Sequence, residues 1–134
     1  MARTHAQKGV VMKNRISENL LMECRKKLLI AKQDVLNRFR TAQRELVHAE
    51  KGGDEADQSV AHIEEHAFLV SQDRMRNQLL EIEMALARME NGSFGICEET
   101  EETIEADRLL AIPWTRLSIE GAELREAVGR RFAR

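Results

Sequence analysis

From Ser17 onward an apolar or small residue recurs every three or four positions: Cys24, Leu28, Ala31, Val35, Phe39, Ala42 and Leu46. At 3.6 residues per turn this spacing keeps them on one narrow stripe of an α-helix, while Lys26, Lys32, Gln33, Asp34, Arg40 and Glu45 fill much of the remainder. Ser17 has the chemistry of an N-cap. The stripe returns further along, with Phe68, Met75, Ile82 and Met89 stepping by seven, Leu79 and Leu86 between them and Gln72 in one seam position. Two such stripes joined by a short connection bury each other best as an antiparallel helical hairpin. Arms of about 30 residues extend roughly 45 Å, so the far end of the hairpin is expected to stand clear of any core this chain builds.

The connection is Glu50-Lys51-Gly52-Gly53-Asp54-Glu55-Ala56-Asp57-Gln58-Ser59, with the only Gly-Gly pair in the chain and three carboxylates within four residues. Glycine carries the largest backbone entropy cost in a helix, and Asp and Ser stop or cap helices through local hydrogen bonds, so a reversal is expected here. The second helix is expected to stop at Asn91-Gly92. Helical composition resumes from about Glu101 to Leu110, breaks at Pro113 and returns from roughly Leu117 to Phe132. The resulting plan is a basic N-terminal segment over 1–16, a coiled-coil hairpin over 17–90 with its tip at 50–59, and a small, mostly helical region over 91–134. The two chain ends are expected to pack together beneath the base of the hairpin. The fold class is mainly α.

Composition agrees with long solvated helices: one third of the 134 residues are charged, there is no Tyr, and the only aromatics are four Phe and one Trp. The net charge of -2 hides an uneven distribution. Arg3, Lys8, Lys13 and Arg15 stand without an acid in the first sixteen residues, the far end carries Arg125, Arg130, Arg131 and Arg134, and Glu98 to Asp107 holds six carboxylates and no base. Neither basic end interleaves aromatics of the kind that stack nucleobases, so no direct DNA-reading surface is expected. Cys24 and Cys97 are too few for a disulfide framework, and no run of ~18 apolar residues is present, which leads to the expectation of a soluble cytoplasmic protein. No Ser-His-Asp set, phosphate loop or metal cluster is legible, so no catalytic residue is assigned and no enzyme is expected. His62 and His66, spaced i, i+4, read as exposed helical histidines.

The stretch Gly92-Ser93-Phe94-Gly95-Ile96-Cys97, followed by Ile104 and Arg108-Leu109-Leu110-Ala111-Ile112-Pro113, resembles the C-terminal module of the DksA/TraR family of RNA polymerase-binding regulators. Asp54-Glu55-Ala56-Asp57-Gln58-Ser59 is similar to that family's tip motif, Asp-x-x-Asp-x-Ala. The order and separation of the two motifs also fit, so the likeness extends from about residue 20 onward.

The resemblance implies a monomer that docks on RNA polymerase and sends its coiled coil through the secondary channel, where Asp54 and Asp57 perturb the catalytic region and destabilise open promoter complexes. It implies that Arg74 contacts the polymerase rim and that the alarmone ppGpp acts as co-regulator, as in the stringent response. At the positions matching the family's phosphate-binding groups this chain has Glu81, Ile112 and Ala122, with Arg108 and Arg116 nearby. Ser59 departs from the motif's Ala.

A larger departure concerns zinc. Family members usually hold it with Cys-x2-Cys-x17-Cys-x2-Cys; the same spacing here falls on Cys97, Thr100, Ser118 and Gly121. One thiol, two hydroxyls and a glycine cannot close the tetrahedron of soft or nitrogen donors that structural zinc requires. The chain therefore resembles zinc-independent DksA paralogues, with no metal expected. Packing of Phe94, Ile96, Ile104, Leu109, Leu110, Ile112, Trp114, Leu117 and Ile119 is expected in its place. Two rival readings remain: a Gre-like transcript cleavage factor, which carries a β-rich C-terminal domain, and a plain coiled-coil adaptor.

Overall fold

Ser17 opens the first helix as an N-cap, its Oγ accepting the Leu20 N–H at 3.1 Å and its carbonyl accepting the Leu21 N–H at 3.0 Å. The protein was analysed as a computed structural model that describes residues 16–51 and 58–132, without the side chains of 48–51 and 58. The basic N-terminal segment, its expected packing against the other chain end, and the tip acids Asp54 and Asp57 lie outside the described residues. Four helices are found among the described residues: α1 (Glu18–Lys51), α2 (Gln58–Asn91), α3 (Ala106–Ala111) and α4 (Ile119–Phe132). None is long and apolar enough to cross a membrane.

The first two helices are 34 residues each, and their lateral pairs set their sense. Arg25 lies 3.7 Å from Glu90, and Arg38 donates to Gln78 at 3.4 Å. Moving forward along α1 thus moves backward along α2, as the paired stripes predict. The chain divides into two units, and each has its own interior.

In the unit Ile30–Leu80, Val35, Gln72 and Met75 are buried, and Phe39, Ala42, Phe68 and Leu79 are half-buried. This is the expected seam. The buried Nε2 of Gln72 has no hydrogen-bond partner among the described residues.

The other unit comprises the described residues before Ile30 and those from Glu81 onward. Its core is Cys24, Leu28, Ile82, Ala85, Phe94, Cys97, Ile104 and Leu109. Ala85 is fully buried although the spacing does not single it out. Gly92, at φ +83°, ends α2, and the Ser93 N–H returns to the Arg88 carbonyl at 3.0 Å.

The expected helix from Glu101 begins later, at Ala106. Glu101 has φ +61°, Ile96 bridges Thr103 in antiparallel fashion, and Ile104 N–H bonds the Gly95 carbonyl at 2.8 Å. These bonds commit residues 96–104 to a tight hairpin-like loop, which uses the backbone groups a helix would need. The last helix starts at Ile119 rather than Leu117, because Ser118 caps it: its Oγ accepts the Gly121 N–H at 3.0 Å. Ile119 is half exposed and is not part of the core, since it points away from the packed face of α4. No strand is found among the described residues of 91–132, unlike the β-rich domain that the Gre-like reading requires.

Candidate functional site

Cys97, Thr100, Ser118 and Gly121 come together at the start of α4. The thiol of Cys97 accepts the Thr100 N–H and the Ser118 O–H, both at 3.4 Å, and is buried. A Cβ built on Gly121 would run into the Cys97 sulfur, so the place of a fourth ligand is already filled by the first. Among the described residues no three His, Cys, Asp or Glu side chains converge as a metal-binding group. One sulfur, two hydroxyls already engaged in hydrogen bonds and a glycine do not fit zinc.

The same contacts change the acidity of Cys97. Burial pushes its pKa up, but hydrogen bonds from the hydroxyls and backbone N–H groups of Ser118 and Thr100 together outweigh that and pull it down to about 6. Its place beside the N-terminus of α4, the positive end of the helix dipole, favours the thiolate as well. Cys24 is the opposite case. Burial pushes its thiol up, and it donates to the Leu109 carbonyl at 3.6 Å.

Arginines hold the loop that leads into α4. Arg88 Nη2 donates to the Trp114 and Thr115 carbonyls at 3.3 and 3.4 Å, and Arg108 Nε donates to the Leu117 carbonyl at 2.7 Å. Burial pushes the pKa of Arg88 down, and the neighbouring Arg116 charge adds to the shift. Arg116 grips Glu81 through two bonds, Nε to Oε1 at 3.1 Å and Nη2 to Oε2 at 3.0 Å. Arg125 ties Glu99 and Glu98 at 2.8 and 3.4 Å. Glu81, Arg108, Ile112, Arg116 and Arg125 thus line one shallow pocket whose cations already have partners. The role of Arg88 was not legible from spacing, because one more arginine on a charged helix carries no signal of the carbonyls it meets.

On α2, Ser59 and Arg74 are both exposed. Ser59 lies inside the helix rather than capping it. Arg74 has no hydrogen bond or ion pair among the described residues, and no acidic residue stands three or four positions from it on the helix.

Residues 92–127 match the family model described as the prokaryotic dksA/traR C4-type zinc finger. A Caulobacter vibrioides protein named RNA polymerase-binding transcription factor DksA is 36% identical over 103 residues, which span 76% of this chain and 72% of that protein. The chain belongs to the DksA/TraR family. General stress protein 16O of Bacillus subtilis is 37% identical over 68 residues, 44% of this chain and 41% of that one. A solved structure, transcription factor DksA2 from Pseudomonas aeruginosa, superimposes with a TM-score of 0.80 at 30% identity, covering 93% of this chain and 98% of the other. DksA-type proteins are regulators and not enzymes, and this member is likewise not an enzyme. What sets it apart is that a segment matching a four-cysteine zinc finger carries one cysteine at the four ligand positions.

Proposed function

We propose that this protein regulates transcription in the cytoplasm by binding RNA polymerase as a monomer, inserting the hairpin into the secondary channel. There Asp54 and Asp57 act near the catalytic centre and destabilise open promoter complexes. The observation that carries this reading is the pair of antiparallel 34-residue helices whose connecting sequence holds both acids of the family's tip motif. Two carboxylates in the sequence that joins two long helices suit an entry too narrow for a globular domain. Arg74, without a hydrogen bond or ion pair among the described residues, is assigned to the polymerase rim. Ser59 adjusts the strength of the tip contact, its hydroxyl adding a hydrogen-bonding group where the motif has a methyl.

The protein does this without zinc. The Cys97–Ser118–Thr100 hydrogen bonds, the arginine bonds to the Trp114–Leu117 carbonyls and the burial of Phe94, Ile104 and Leu109 hold the region that a metal would otherwise tie.

Synergy with ppGpp is part of the proposal and takes an altered form. Phosphates are recognised by charge-assisted bonds from basic groups, and the nearest ones here are committed to Glu81 and to backbone carbonyls. A ppGpp response therefore requires Arg116 to exchange Glu81 for phosphate.

The test is a titration of purified protein into preformed open complexes on a ribosomal RNA promoter. A dose-dependent shortening of their lifetime is expected, and an unchanged lifetime with no binding to polymerase would refute the proposal.

A further inference from the structure

Near the start of α2, in the stretch His62-Ile63-Glu64-Glu65-His66, two histidines stand four residues apart. On a helix that spacing puts them about 40° apart round the axis and ~6 Å apart along it, with Cβ atoms roughly 5–6 Å from each other. Both rings can then turn a nitrogen toward one point above the helix surface, which is how helical histidine pairs take a metal ion. Both are exposed, and neither has a hydrogen bond or ion pair among the described residues.

The surroundings favour a cation. From Gln58 to Asp73, α2 has no Lys or Arg and carries Glu64, Glu65 and Asp73, so the pair sits in a stretch of negative charge. Glu65 follows His62 by three residues, which places it on the flank of the same face. Among the described residues no third His, Cys, Asp or Glu closes on the pair, so an ion there keeps water in its other positions. The donor set selects the ion. Imidazole suits Ni2+, Cu2+ and Zn2+, whereas Mg2+ and Ca2+ require oxygen ligands. Two nitrogen ligands hold an ion that exchanges readily, unlike a closed four-ligand finger, so the site fills when the ion is supplied and empties against a chelator.

Binding has a structural consequence. Every residue from Ser59 to Ala67 is exposed, so no buried anchor holds these turns of α2. Their helix rests on local terms, which are marginal over so short a stretch. An ion shared by His62 and His66 ties one turn, and its binding free energy goes into the helical form, because the unfolded turn does not present the pair.

We propose that His62 and His66 form an exchangeable site for one nitrogen-preferring divalent ion of the first transition row, Ni2+, Cu2+ or Zn2+, which clamps the opening turns of α2. The site lies in the unit Ile30–Leu80, apart from Cys97 and its neighbours, and does not depend on the polymerase reading.

The test titrates Ni2+ alone into the chelator-treated full chain by calorimetry, with Mg2+ in parallel. Wild type is compared with His62→Ala, His66→Ala, His5→Ala and His48→Ala; alanine is the best helix former, so loss of helix does not confound the exchange. Wild type is expected to bind one Ni2+ and no Mg2+. His62→Ala and His66→Ala are each expected to weaken Ni2+ binding by about ten-fold or more, since even groups that only orient a ligand are worth about that much. His5→Ala and His48→Ala are expected to match wild type. Amide hydrogen exchange gives the second readout: Ni2+ is expected to slow exchange over residues 59–67 in wild type and not in His66→Ala. Absence of Ni2+ binding, equal affinity in wild type and both pair variants, or a loss as large in His5→Ala or His48→Ala overturns the proposal. Unchanged exchange over 59–67 in the Ni2+-bound wild type overturns the clamp, and a Ni2+-dependent dimer overturns the single-chain site.

Discussion

The Ser118 hydroxyl donates to the buried Cys97 sulfur at 3.4 Å while its own oxygen accepts the Gly121 N–H at 3.0 Å. One side chain therefore caps α4 and fastens it to the loop that precedes α3.

The pH dependence of folding follows from the low pKa of Cys97. Its folded value of about 6 lies below the ordinary 9.0, so the thiolate contributes stability that is complete above pH 9 and lost as pH falls through 6. The stability advantage of wild type over Cys97→Ser is expected to grow between pH 6 and pH 9, measured by urea unfolding at several pH values. An advantage that is flat or shrinks over this range would show that the sulfur is not ionised in the fold.

At the fourth ligand position, Gly121→Ala tests how tightly the region has closed. Its methyl would meet the Cys97 sulfur, and a loss of about 1–3 kcal/mol is expected, in the range for overpacking a filled core. Elemental analysis of the purified wild type is expected to give far less than one zinc per chain. Near-stoichiometric zinc would contradict the account of the site.

Releasing Arg116 is the way to strengthen the nucleotide response. Glu81→Gln removes the carboxylate that now holds its guanidinium, so half-maximal ppGpp effect is expected at lower ppGpp concentration in a promoter-complex decay assay. The same substitution loosens the pocket only slightly, because the pair is partly exposed and surface pairs contribute at most about 1 kcal/mol. An unchanged or weaker ppGpp response would exclude Arg116 as the phosphate group.

Gln72 is the weak point of the seam. Its buried Nε2 lacks a partner, and leaving such a group unsatisfied costs about 1–3 kcal/mol. Gln72→Met, close in volume and without the amide, is expected to raise the urea midpoint. A lowered midpoint would mean that the amide has a stabilising partner after all.

Much of this was legible because long helices write their burial into the sequence. The stripes from Cys24 and from Phe68 located the hairpin, and Ser17 and Asn91-Gly92 marked two of its ends, since helical periodicity and caps are local signals. Residues 101–105 were misread as helix because their composition suits one, whereas the backbone bonds of Gly95 with Ile104 and of Cys97 with Glu102 close a loop there instead. The ligand spacing brought Cys97, Thr100, Ser118 and Gly121 to notice. That the glycine makes room for the cysteine, and that Arg88 and Arg108 secure the loop carbonyls, depends on contacts between segments far apart in sequence.

The central claim is that the acids joining α1 and α2 act on polymerase while the helices hold it. Open-complex lifetime on a ribosomal RNA promoter, measured with saturating wild type and saturating Asp57→Ala, tests this most directly. The account predicts that wild type shortens the lifetime and that Asp57→Ala binds polymerase with similar affinity yet leaves the lifetime near that of polymerase alone. An Asp57→Ala protein that shortens it as well as wild type would contradict the claim.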